Sequence, residues 1–185
     1  RPEYRDRDIR LEVMDEQGLE AAFFFPTLGV GMEQSLIHDI PALQAAFRAF
    51  NRWLDEDWGL NYKDRIYSAA FISLTDLDSA VAELEWALER DVRIVIVGVG
   101  PVVTAAGGRS SSDPYYDPFW AEAQELDMPL VMHVLTSAQP NMALPTHWGP
   151  IMGYALWPAA MAHVRLGIPG VIVYCRGLVA HLIGS

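Results

Sequence analysis

Apolar residues recur along this chain in two alternating rhythms, a helical spacing of three and four and a short unbroken run. Asp8 to Gln17 reads as the end of a helix, with Ile9, Val13 and Met14 on one side and Gly18 as its stop. The run AAFFFP, ending at Pro26, is a strand, and the glycine-rich TLGVGMEQS after it is expected to be a flexible, nearly uncharged loop. From Pro41 to Asp57, Leu43, Phe47, Phe50 and Leu54 predict an amphipathic helix. Arg65 to Leu74 is the next strand. Thr75 and Asp78 are placed to form a capping box, opening a helix striped by Leu77, Val81, Leu84 and Leu88. Val92 to Val99 is almost wholly apolar, as a parallel strand covered on both faces should be. A Gly/Ser/Pro loop from Gly100 to Tyr116 leads to a helix with Asp117 as N-cap and Pro118 at its first position. Trp120, Ala123 and Leu126 are expected on its inner face, and Pro129 to Val134 forms the following strand.

This α-β-α-β-α-β-α-β order, with no hairpin signal between strands, predicts adjacent parallel strands in sequence order, in a closed barrel or a doubly wound sheet. Beyond Leu135 the pattern loses its register, and the expectation is a loop followed by a helix starting over Leu178 to Ile183.

Composition narrows the partners. The chain has 185 residues, enough for one domain with a sizeable core, 51% of them hydrophobic and 20% charged. A net charge of −11 with no basic stripe speaks against nucleic acid. No apolar stretch is long enough to predict a membrane span. Cys175 is the only cysteine, so no internal disulfide forms and the cytoplasm is the default compartment. The N-terminus has no signal-peptide organisation and no initiator Met, so an upstream segment is expected.

One residue breaks the apolar pattern. His133 sits in the strand PLVMHVL among residues that leave water readily. A core imidazole with satisfied nitrogens is one explanation. The other is positional, because the C-terminal end of a parallel strand is where ligands gather, and imidazole is the commonest neutral metal ligand.

Three stretches carry a resemblance to a known family. They are LEVMDEQGLEAAFFFPT, the block from NRWLDEDWG to VRIVIV, and SSSDPYYDPFWAEAQELDMPLVMHV, together spanning residues 8 to 134. They resemble the amidohydrolase-related family typified by 2-amino-3-carboxymuconate-6-semialdehyde decarboxylase, which includes γ-resorcylate-type decarboxylases. The resemblance implies a (β/α)8 TIM barrel of the metal-dependent hydrolase type, with strands two to five recognisable here in a single partial domain over residues 1–185. It implies a divalent metal at the C-terminal mouth, zinc first, with manganese or magnesium as alternatives, and it makes His133 the strand-five ligand. The family's H-x-H or E-x-H pair is absent from this sequence, and its strand-six histidine and strand-eight aspartate find no matching position. An incomplete chain is therefore expected.

Other mouth residues follow from the loops. Arg109, in GGRSSSDPYYD, could clamp a substrate carboxylate or simply pair with Asp113. His147 lies in the loop after the His133 strand, as a substrate contact or a surface histidine. His38 belongs before a helix, and His163 and His181 are expected to be structural. Arg65, at a strand's N-terminal end, reads as a structural ion pair. Asn51, Trp53 and Trp120 read as helix packing. The expected protein is a homo-oligomeric metal enzyme acting on a small carboxylated or cyclic organic substrate, by decarboxylation or by hydrolysis. The alternative is a catalytically silent barrel fragment or interaction domain. A doubly wound nucleotide binder is disfavoured, since no G-x-G-x-x-G follows a strand.

Overall fold

The computed structural model describes residues 1–98, 102–111, 113–133 and 172–174, so the helix expected over Leu178 to Ile183 lies outside the described residues. Helix α1 (Arg7–Glu16) begins where the Asp6 carboxylate accepts from the amides of Asp8 and Ile9, filling donors that the first turn leaves open. It buries Leu11 and Met14 against Ile66 and ends near Gly18, whose φ of +69° is the left-handed conformation a helix stop needs.

Strand β1 (Ala22–Phe24) leads into α2 (Thr27–Ser35), so the expected flexible loop is a helix. The reason is packing. A Cβ added at Gly29 would lie 3.5 Å from Cε1 of Phe47 and 3.7 Å from Cε1 of Phe50, which shows how closely α2 approaches α3 (Ile40–Asp57). Met32 and Leu36 add apolar contacts with the cluster around Leu43, Phe47 and Phe71. These contacts override the poor helix propensity of two glycines.

Arg65 to Leu74 forms two consecutive strands, β3 (Ile66–Ser68) and β4 (Ala70–Ile72). A short β2 (Asn61–Tyr62) folds back antiparallel onto β3. The turn carries positive φ at Lys63 and Asp64, as a tight hairpin requires. A second hairpin, β6 (Val102–Thr104) with β7 (Gly107–Arg109), lies inside the stretch expected to be loop. Neither hairpin was expected, because Asn61–Tyr62 and Val102–Arg109 carry no sustained apolar run. The strands within the apolar runs pair as the alternation predicts. β1 pairs parallel with β3, while β4, β5 (Val95–Gly98), β8 (Leu130–His133) and β9 (Ile172–Tyr174) pair parallel in that order. Ala69 joins the two sets, its amide donating to the carbonyl of Phe24 at 2.9 Å.

Side-chain alternation divides the mixed α/β core in two. Ala70, Ile72, Val95, Val97 and Leu130 pack against α4 (Leu77–Leu88) and α5 (Asp117–Glu125). Ala69, Phe71, Ile94, Ile96 and Val131 form a second cluster with Leu43 and Phe47 of α3. The Phe47 and Phe71 rings stack, with centroids 4.6 Å apart.

Several details depart from expectation. The inner face of α3 is Leu43, Phe47, Asn51 and Leu54, with Asn51 in the place expected for Phe50. The Asn51 amide donates to the carbonyl of Phe71 and accepts from its amide, at 2.9 and 3.0 Å, and also donates to Glu83 at 3.0 Å. Glu83 holds Arg52 as well. Trp53 is 45% exposed and leans on Phe50, so it is not a packing residue. Trp120, as expected, is buried. Helix α4 is capped by Asp76, whose carboxylate accepts from the amide of Ser79, because Thr75 is turned inward. Asp113 caps a 3-10 turn at Pro114–Tyr116, and Asp117 is already helical, so the N-cap of α5 is Tyr116. Leu126 lies just past the last turn and is 45% exposed; Phe119 is buried instead. Among the described residues no helix is long and apolar enough to cross a membrane.

Candidate active site

Parallel strands align their carboxyl ends in one layer. Ile72 pairs with Val97 and Val97 with Met132; one step on, Gly98 pairs with His133 and His133 with Tyr174. Ser73 directly follows Ile72, so the last layer reads Ser73, Gly98, His133, Tyr174 across four strands. The backbone of His133 is therefore at the carboxyl end of β8, where the sequence placed it. Its side chain, the expected outward pointing of Met132 and Val134, and His147, His163 and His181 all lie outside the described residues.

The polar groups of this layer are organised by Ser73. Its hydroxyl donates to Glu33 Oε1 at 2.5 Å and lies 3.1 Å from Thr75 Oγ1. Thr75 in turn accepts from Gln44 Nε2 at 2.8 Å. Ser73 and Thr75 are buried, and Glu33 is partly so. Burial pushes the Glu33 carboxyl above its ordinary range, and the Ser73 hydrogen bond pulls it the other way. Sequence reasoning missed Glu33 because it falls in the stretch expected to be loop. The available signal was its isolation as the one carboxylate in TLGVGMEQS, directly after a strand.

The hairpin β6–β7 follows β5 and ends on Arg109. Its guanidinium pairs with Asp113 at 3.2 Å and covers the Tyr115 ring at 4.4 Å from the centroid. The loop is anchored below by Trp120, whose Nε1 donates to the carbonyl of Ser111 at 2.8 Å. Tyr116 is fully buried there, its hydroxyl has no hydrogen-bond partner among the described residues, and burial pushes its pKa up to about 12. His38 is exposed in the turn before α3. At the opposite end of the strands Arg65 makes the expected structural pair, holding Asp15 at 2.6 Å and the carbonyls of Leu19 and Glu20.

Among the described residues no three His, Cys, Asp or Glu side chains come together as a metal site. They do not fit a complete divalent centre by themselves. A catalytic metal site takes about three protein ligands.

A protein-family model described as amidohydrolase matches residues 1–170. The chain belongs to that family. The chain is 31% identical over 137 residues to the γ-resorcylate decarboxylase of Rhodococcus jostii (strain RHA1), a match covering 69% of this chain and 39% of that one. It thus spans about two fifths of the length of the curated relatives it matches. A crystal structure of an amidohydrolase from Mycobacterium avium subsp. paratuberculosis K-10 superposes with a TM-score of 0.71 at 45% identity, over 74% of this chain and 36% of that one. A 2,6-dihydroxybenzoate decarboxylase complexed with 2,6-dihydroxybenzoate shares the fold, with a TM-score of 0.55 at 21% identity, over 90% of this chain and 54% of that one.

Proposed function

We propose that the complete protein is a metal-dependent decarboxylase of small carboxylated aromatic compounds. The observation that carries this reading is the match to γ-resorcylate decarboxylases at 30–31% identity, over more than two thirds of this chain. In the proposed reaction the bond between ring carbon and carboxylate breaks, CO2 leaves, and the electron pair kept on the ring carbon takes up a proton. A bound divalent ion would anchor and polarise the substrate. Hydrolysis of an ester, amide or lactone is the second chemistry such a family site supports.

The strand set β1, β3–β4, β5 and β8 is read as strands two to five of a (β/α)8 barrel, in one partial domain. His133 is assigned as a metal ligand, with zinc ahead of manganese and magnesium. Arg109 and His147 are assigned to substrate contact, in a homo-oligomer of the cytoplasm. The Arg109 assignment draws on its position in the loop after β5 and on its planar fork, which Asp113 and Tyr115 hold in place.

The test is CO2 release from a panel of hydroxybenzoates by the complete natural polypeptide, with metal analysis of the wild type and of His133→Ala. Decarboxylation by the wild type, with activity and metal lost together in the variant while the fold persists, is expected. Ester or lactone hydrolysis without CO2 release would replace the decarboxylase reading. Unchanged metal occupancy beside a stability loss of about 1–3 kcal/mol would make His133 a core residue.

A further inference from the structure

We infer that the outward face of α3 joins two copies of this protein across a twofold axis, with Trp53 of each copy lying over Ala46 and Ala49 of the other. The inference rests on the homo-oligomer reading and deepens it by naming the surface.

A surface helix ordinarily turns charged and polar residues to water, opposite the stripe that it buries. Helix α3 departs from this. Leu43, Phe47, Asn51 and Leu54 face inward, yet Ala42, Ala45, Ala46, Ala49 and Trp53 recur at helical spacing along the other side. Ala45 and Ala49 are exposed and Ala42 and Ala46 half-buried. Trp53 is 45% exposed, and the ring beside it is Phe50 of the same helix, 5.4 Å away between centroids. Helix α2 closes on the flank at Phe47 and Phe50, and α4 reaches the flank at Asn51 and Arg52 through Glu83. The strip between these flanks is left open to solvent.

Charge decides what can cover it. From Ile40 to Leu54 the helix carries Arg48 and Arg52 and no acid, whereas Asp55, Glu56 and Asp57 crowd its last turn, which has no base. That is the unfavourable end for carboxylates, because it is the negative pole of the helix dipole. Asp55 is used within the chain, pairing with Arg90 at 3.3 Å and accepting from the amide of Leu60 at 3.4 Å. Glu56 and Asp57 are exposed, and their carboxylates hold no partner among the described residues. Arg48 is 51% exposed and reaches only Glu83, at 3.7 Å.

An antiparallel second copy accounts for each of these features. It sets the acidic last turn of either helix opposite the amino-terminal half of its mate, which offers Arg48 and the positive pole. A parallel mate would set acid against acid, and a purely basic partner would leave Arg48 facing like charge. Small side chains let two helix axes approach to about 8 Å. With the axis near Ala49 and Phe50, Trp53 of one copy lies across Ala46 and Ala49 of the other. A large ring seated on small side chains is a common form of interface hot spot, and a face complementary to itself closes as a dimer.

The experiment follows the complete natural protein by sedimentation over a range of concentrations, with melting curves and 2,6-dihydroxybenzoate turnover beside each variant. Trp53→Ala is expected to raise the dimer dissociation constant by on the order of 30-fold or more. Ala49→Arg, which brings two like charges together near the axis, should leave monomers with an unchanged fold. Ala49→Cys, in a background without other reactive cysteines, should cross-link two copies under copper-phenanthroline oxidation. Pro41→Cys should not, since the axis holds the two copies of that residue far apart. Unchanged association of both Trp53→Ala and Ala49→Arg would overturn the inference, as would cross-linking at Pro41→Cys but not at Ala49→Cys. A wild type monomeric at every concentration would bring down the homo-oligomer reading, and this one with it. Loss of turnover alone would bear on the decarboxylase reading and leave the interface standing.

Discussion

At the scale of single residues, the groups that matter most are polar ones in apolar places. Asn51 is the clearest. One side-chain amide satisfies both backbone groups of Phe71 and also reaches Glu83. Asn51→Ala leaves a buried amide and a buried carbonyl without partners, so a loss of about 2–4 kcal/mol in a urea titration is expected. Leu54→Met, a volume-conserving change one turn away, should cost less than about 1.5 kcal/mol. Glu33 sets a second expectation, in pH. Its folded pKa is raised above the ordinary 4.5 by burial. Below that value the carboxyl is neutral in both states. As pH rises through it, the unfolded chain releases its proton while the folded chain retains it, so stability falls until the folded carboxyl ionises. Glu33→Gln has no such loss, and its melting temperature should gain on the wild type between pH 4 and pH 7. A difference independent of pH would mean that this carboxyl titrates as an ordinary one. Residues of this kind are half legible in sequence. Arg65 announced its ion pair through its place at a strand's amino end. Asn51 announced only burial, because the pairing with Phe71 is tertiary.

At the scale of elements, apolar period identified the long helices and the long strands, and failed where an element is short or rich in glycine. Helix α2 is the instructive miss. Gly29 and Gly31 each weaken it by local propensity, yet its contacts with α3 hold it. The structure therefore allows a simple improvement. A methyl at Gly31 meets nothing within 4 Å, and one at Gly29 makes ordinary contacts at 3.5–3.7 Å. Gly29→Ala and Gly31→Ala are each expected to stabilise by about 0.5–1 kcal/mol. Gly107→Ala, at φ +110° in the β6–β7 turn, should destabilise despite the open space around it. Thermal melts of the three variants check the set, and a loss at Gly31 would return this segment to loop. The capping residues slipped for a related reason. Thr75 and Asp117 have the right chemistry, but Thr75 is drawn inward by Gln44, and the 3-10 turn at Pro114–Tyr116 moves the helix start.

At the scale of the whole molecule, parallel order was legible because it follows from alternation and handedness alone. The position of His133 at the carboxyl end of β8 was legible, whereas the Glu33, Ser73, Thr75 and Gln44 network was not, because it converges from α2, α3 and a strand end. Closure around the sheet is a matter of surface. Among the described residues β1 ends its sheet, and beside it Phe23 is 54% exposed and Leu28 71%. An open strand edge next to apolar side chains invites pairing between chains. A polypeptide of residues 1–185 alone should therefore associate with rising concentration in sedimentation runs, against the dispersing effect of its −11 charge. Phe23→Ser with Leu28→Ser should weaken that association. A chain monomeric at all concentrations would show that this edge is covered from within.

The amide of Asn51 has a consequence beyond stability. Along β4, a side chain rather than a neighbouring strand guards the Phe71 N–H. Its isotope exchange with heavy water thus reports whether α3 is docked, while the amides of β5 and β8 report on the ladder itself. If α3 lifts away as a unit before the sheet opens, Phe71 will exchange faster than its buried strand neighbours, at the rate of the helix. A single well-resolved proton would then time the first breath of the molecule.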